Sequence, residues 1–257
     1  MYKLKTILSL VFLFPVYVVN AQMGLVNNGM SVNVEQGAYI NAYDYTNNQA
    51  NSTDGSFDLD GTFIVTGNLT NNSTGSVFVN IEAIPDGIVV LEGTNQTIQG
   101  TTAIEFENLS IENSTKTLSL NNCDVKGILN INGTLNLNKN KLILSYSNPS
   151  AITYQNGSII SETLPSDGLG EIEWKIGGTT GTFSVPFGTG PGTNDLNLAL
   201  TTLTSASPGD GSVIFATYPT DASNEPYPST VFSLDTIKPE NLSDRYWKIE
   251  PVFSFKP

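Results

Sequence analysis

The sequence predicts an all-β protein: a β-solenoid of the right-handed β-helix-like kind, followed by a partial β-sandwich. Three observations carry that prediction. Between Ile98 and Leu144, apolar residues recur two apart as Leu109/Ile111, Leu118/Leu120, Leu129/Ile131, Leu135/Leu137 and Leu142/Leu144, and this alternation marks strands with one buried face. The breaks between the pairs hold Asn113, Asn121, Asn122, Asn132, Gly133, Asn138 and Asn140, residue types that accept the positive φ of a tight corner. Near Gly168 the texture changes to longer, aromatic-rich strands separated by real loops, as in a sandwich.

Residues 1–21 form no part of the predicted fold. Lys3 and Lys5 precede an apolar run from Ile7 to Val19, and Val19-Asn20-Ala21 is a small-residue exit, the layout of a secretory signal peptide cleaved before Gln22. The run is shorter than the roughly 20 residues of a membrane span. Export would remove two of the 11 Lys and Arg and none of the 24 Asp and Glu, leaving a mature chain more acidic still than the −13 of the whole. Such a surface disfavours nucleic acid and anionic membrane. The single cysteine, Cys123, excludes a disulfide framework and reads as a small buried residue.

The solenoid is expected over 22–167. Its early strands centre on Val32/Val34, Tyr39/Ile40, Phe57/Leu59, Phe63/Val65, Leu69, Val77/Val79/Ile81 and Val89/Leu91. Gly61–Leu69 and Gly127–Leu135 share one pattern, a glycine, a short strand and a second glycine, and are expected to be equivalent corners. A single coil cannot hide its inward side chains, but neighbours above and below can. Leu129 and Leu135 are therefore inward, and asparagines at matching corners are expected to stack as amide ladders. Tyr39, Tyr43 and Tyr45 lie together near the mature N-terminus, where they would cap the open end of the stack or form a sugar-stacking platform.

The sandwich-like region is expected over 168–257. Ile172, Trp174 and Ile176 share one face of a strand. Further strands follow at Thr182–Gly188, Leu196–Leu203, Ser212–Tyr218, Arg245–Glu250 and Val252–Phe255. Trp247 and Ile249 call for burial close to Pro257, and these strands fall short of the roughly seven of a sandwich, so the sequence reads as truncated at its C-terminus.

Catalytic chemistry finds little footing. There is no histidine, which removes the usual general base, Ser-His-Asp and Cys-His arrangements, and most zinc sites. Glu171 and Glu173, like Glu105 and Glu107, are two apart on one strand, opposite an apolar face, and so read as solvated rather than as a glycosidase pair. Gly188-Thr189-Gly190-Pro191-Gly192 lacks the Lys-Ser/Thr ending of a phosphate loop. Asp58-Leu59-Asp60-Gly61 matches part of a calcium loop without its third acidic position or distant Glu. That leaves Asp58 and Asp60 as incomplete calcium candidates, and no other cofactor is expected.

The blocks GTNQTIQGTTAIEFENLSIENS, VKGILNINGTLNLNKNKLIL, GEIEWKIGG, GTFSVPFGTG and SDRYWKIEP occur in that order. Together they resemble large secreted, adhesin-like cell-surface repeat proteins of bacteria that use the type IX secretion system. Val185-Pro186-Phe187-Gly188 only approximates one element of that pattern, and the sorting domain such proteins carry is not in this sequence. The resemblance implies a secreted or outer-surface protein that acts as a non-catalytic stalk or scaffold, with surface glycans or other surface proteins as partners. The alternatives are a carbohydrate-binding module of a larger secreted enzyme and a stacked-coil polysaccharide-degrading enzyme.

Overall fold

The computed structural model describes residues 23–79, 86–119, 122–162, 168–190, 195–202, 211–220 and 245–252. The expected signal segment lies outside them. The chain is all-β, with a solenoid of about six turns.

Each coil lays one strand on each of three faces. The first face holds, in spatial order, Leu25–Asn28, Tyr45–Ala50, Leu69–Asn72, Gln96–Gly100, Thr115–Leu118, Thr134–Asn136 and Ser158–Ile160. The second begins as Ser31–Val34, Ser56–Leu59 and Phe78–Val79, then continues in a separate sheet with Ile104–Phe106, Cys123–Val125, Lys141–Leu144 and Glu171–Trp174. The third holds Tyr39–Ala42, Thr62–Val65, Ile88–Leu91, Asn108–Ile111, Leu129–Ile131 and Ile152–Tyr154. Successive strands on a face are parallel, as in Phe63 beside Val89, Val89 beside Leu109, and Leu109 beside Leu129. Inward alternation thus becomes continuous columns, and the interior members of this one, Phe63 to Leu129, are essentially inaccessible. Burying each such side chain is worth roughly 1.5–3 kcal/mol before chain entropy is subtracted.

The expected equivalence of Gly61–Leu69 and Gly127–Leu135 holds on the third face, where Phe63 and Leu129 share a column, but not around the corner. Leu69 lies beside Ile98 and Ile98 beside Leu118, whereas Leu135 lies beside Lys116, two residues earlier. Leu129 and Leu135 are both inward and fully buried.

The corner residues act in two ways. Asn113 and Asn138 take the expected positive φ, 58° and 42°. Gly133 serves instead through close approach: a Cβ there would stand 2.5 Å from the Asn113 carbonyl oxygen of the coil below. Other asparagines extend the backbone ladder. Asn108 donates to the Gly87 carbonyl at 3.0 Å and accepts from the Ile128 N–H at 2.8 Å, tying three successive coils together.

The second face crosses position 168 without a break in pairing, because Lys141–Leu144 runs parallel to Glu171–Trp174. Ser212–Pro219 then adds to that sheet antiparallel, and Arg245–Val252 antiparallel to it. Gly181–Val185 and Leu198–Thr202 form a separate hairpin-like pair. Phe183 meets Trp174 edge to face at 5.0 Å, and Phe183, Val185 and Phe187 are buried in the same core as the coils. The two facing sheets of a sandwich are not established by the described strands.

Candidate functional site

The second face carries the densest charge among the described residues. Its strands are inward at Ile172 and Trp174, so Glu171 and Glu173 point outward, as the alternation predicts. They are not simply solvated. Lys141 reaches Glu173 at 3.0 Å and Glu171 at 3.7 Å, Lys248 reaches Glu171 at 2.7 Å and Glu250 at 2.9 Å, and the Ser212 hydroxyl donates to Glu173. Partial burial alone would raise the Glu173 carboxyl, but Lys141's hydrogen bond and charge outweigh it and hold the group below the usual carboxylate range. A catalytic acid needs the opposite shift.

Further along the same face Glu105 pairs with Lys126 at 2.9 Å, and Ser145 donates to Asp124 at 2.7 Å. Burial, helped by the Glu105 and Asp124 charges, raises Glu107 despite Lys126. The arrangement neutralises a stripe of like-signed carboxylates along the stack. These pairs are partly exposed and individually worth little, at most about 1 kcal/mol.

The asparagine ladders form on the first face in two rows. Outward, Asn48 donates to Asn28 at 2.9 Å and Asn72 to Asn48 at 3.2 Å. Inward and buried, Asn47 donates to the Gly55 carbonyl at 2.8 Å, to Ser73 Oγ at 3.0 Å and to Asn71 Oδ1 at 3.3 Å, while accepting from the Tyr45 hydroxyl. The two rows arise because Asn27-Asn28, Asn47-Asn48 and Asn71-Asn72 are adjacent pairs in matching register, and neighbours on a strand face opposite ways.

Lys116 is the residue sequence reasoning missed. It occupies an inward position between Gln96 and Leu135 and is fully buried. Its ammonium donates to the carbonyl oxygens of Glu112 at 2.6 Å, Gly93 at 2.8 Å and Ser114 at 3.1 Å. Burial pulls the group down to about 8, against the charge of Glu112. Gln96, one coil below, does the same work, donating to the carbonyls of Val65 and Gly67. The available signal was alternation itself: in Thr115-Lys116-Thr117-Leu118 the lysine shares its side with Leu118.

The sequence-derived candidates do not converge. Asp58 lies on Ser56–Leu59 beside Asn33, and Asp60 follows at the corner. No group of three or more His, Cys, Asp or Glu able to hold a metal occurs among the described residues, and two carboxylates fall short of the six to eight oxygens calcium takes. Cys123 is buried, and burial with the neighbouring Asp124 charge pushes its thiol up to about 12, far from a reactive thiolate. The tyrosine trio disperses, which corrects its reading as one exposed patch. Tyr45 is inward and packs edge-on against Phe57 at 5.2 Å and Phe63 at 5.1 Å, while Tyr39 is 73% exposed and Tyr43 intermediate. The cause is parity: Tyr43 lies in the corner after Tyr39–Ala42 and Tyr45 opens the next strand, so period 2 does not carry from one to the other. Of the glycine-rich loop, Thr189 is tied through its N–H and hydroxyl to Asp195, and 191–194 lie outside the described residues.

Among the described residues no helix is long and apolar enough to cross a membrane. Compared with known proteins, the chain matches no family model, no curated protein and no solved structure.

Proposed function

We propose that this chain is an exported surface protein that acts as a non-catalytic stalk or scaffold, adhesin-like in its role. One observation carries the reading: polar side chains on two faces are spent on rungs that run along the stack. Asn28, Asn48 and Asn72 form one such row and the Glu–Lys pairs of the second face another, over a single apolar core. Groups committed to their neighbours stiffen a rod more readily than they gather around a substrate. With coils roughly 4.8 Å apart, the stack spans about 30 Å. Export rests on the basic, apolar and small-residue order of 1–21, and the type IX route on the resemblance of the ordered sequence blocks.

The purified chain incubated with neutral and acidic polysaccharides is expected to release no reducing ends. Release abolished by Glu171→Gln together with Glu173→Gln would overturn the non-catalytic reading. A glycan array then separates scaffold from binding module: saturable binding to one sugar class, lost in a Tyr39→Ala variant, would move the assignment to the carbohydrate-binding alternative.

A further inference from the structure

The extended sheet of the second face ends, among the described residues, at Arg245–Val252. This strand pairs along eight residues with Ser212–Pro219, and no described strand lies on its other side. A strand edge of this length offers a row of backbone donors and acceptors to another chain. Its side chains also differ from those of the strands it joins. Register sets Trp247 and Ile249 level with the buried Thr217 and Phe215, on the apolar side of the sheet, yet they are 37% and 45% exposed.

The charge order on the other side of the strand singles out an occupant. Lys248 and Glu250 flank Ile249 symmetrically, so the same strand run in reverse presents glutamate where the original has lysine. We propose that this edge pairs antiparallel with the same edge of a second copy, about a two-fold axis through Ile249, giving a dimer that continues the sheet. In that register Lys248 faces the partner's Glu250, Glu250 faces the partner's Lys248, and Trp247 faces the partner's Pro251. Opposite charges directly across an antiparallel pair are favourable and like charges unfavourable. A two-fold centred on Lys248 or on Glu250 would set that charge against itself. The charge pattern therefore selects one register, and an isologous contact of this kind closes at two copies. Pro251 has no N–H, which shortens the ladder and opposes further growth of the edge. Lys248 already holds Glu171 at 2.7 Å, so the dimer would join two ion-pair rows into one. This inference stands apart from the scaffold reading, since a dimer edge serves an enzyme or a binding module equally well.

Sedimentation velocity on the purified chain tests it. The wild type is expected to be a dimer. Lys248→Glu and Glu250→Lys, each of which sets like charges opposite one another, are expected to be monomers, and the double variant to be a dimer again. Glu171→Gln, which removes an intrachain partner of Lys248 without touching the edge, stays dimeric. An Ile249→Cys variant, oxidised with glutathione disulfide, should form a disulfide between copies, because the axis sets this position opposite itself; buried Cys123 does not compete. A monomeric wild type, a dimer indifferent to both single charge reversals, or a folded Ile249→Cys variant that does not cross-link would each overturn the proposal. Circular dichroism identifies any variant that has failed to fold, and the Ile249→Cys arm then decides.

Discussion

Lys116 shows what one buried polar side chain does in a stack of coils. A corner leaves carbonyl groups pointing inward that no strand can pair, and an unsatisfied buried carbonyl costs about 1–3 kcal/mol. Three donors on one flexible stem meet three such carbonyls. Replacing Lys116 with Met keeps the volume and removes the donors. We expect a loss of roughly 2 kcal/mol in urea unfolding at pH 7; an unchanged midpoint would show that water reaches the corner. The pH dependence has a definite sign. The folded-state value, about 8, lies below the ordinary 10.5, so between them the unfolded chain binds more protons and stability rises with pH. Below pH 8 both states are charged and the full cost of burying the ammonium remains. The stability difference between wild type and Lys116→Met should therefore widen as pH climbs from 8 to 10, and a difference that narrows would contradict the burial argument. A charged residue in a short polar run looks like surface in the sequence. Only the register, which sets it between Gln96 and Leu135, reveals otherwise.

At the scale of the strand, period 2 made most of the fold legible. The pairs from Leu109/Ile111 to Leu142/Leu144 that fall on described residues are all inward and buried. The breaks at Asn113, Asn132-Gly133 and Asn138–Asn140 are corners, whereas the break before Leu129 also holds the strand Cys123–Val125. Leu129→Asp should lower stability by about 4 kcal/mol or more, since it buries an unpaired charge in a column with no room to expel it; a wild-type melting curve would remove the inward assignment. The paired asparagines give a sharper contrast. Asn47→Ala strands buried groups on Gly55, Asn71 and Ser73 and should cost about 1–3 kcal/mol. Asn48→Ala, one residue away on the outer row, should cost about 0.5 kcal/mol or less. Equal effects in thermal unfolding would mean that both rows are wet. What the alternation could not supply was phase across a corner. Tyr45 turned inward because a two-residue corner, Tyr43 and Asp44, separates its strand from Ala42, and Leu135 fell two positions from the counterpart its sequence suggested. Corner length sets the phase of the next strand, and corners of different length look alike as strings of Asn and Gly.

For the whole molecule, composition and the missing histidines pointed toward architecture, and the described residues form one core from Val34 to Phe215. The expected division at 168 was drawn from a change in texture, longer strands and more aromatics. That texture accompanies the switch from parallel to antiparallel pairing beyond Glu171–Trp174, and such a switch needs no break in the sheet. The calcium candidates have a direct check: because a ligand bound only to the folded state raises its stability, the melting temperature should be the same in millimolar calcium and in chelator. A rise with calcium would identify Asp58 and Asp60 as ligands.

The spacing of partners along the chain has a consequence for how the molecule is made. Phe63 meets Val89, Val89 meets Leu109 and Leu109 meets Leu129, so each of these coils finds its partner in the next segment of the polypeptide rather than at its far end. Closing each short loop costs little entropy, and each finished coil is a template for the next. A chain that appears N-terminus first can therefore wind these coils up in order of arrival.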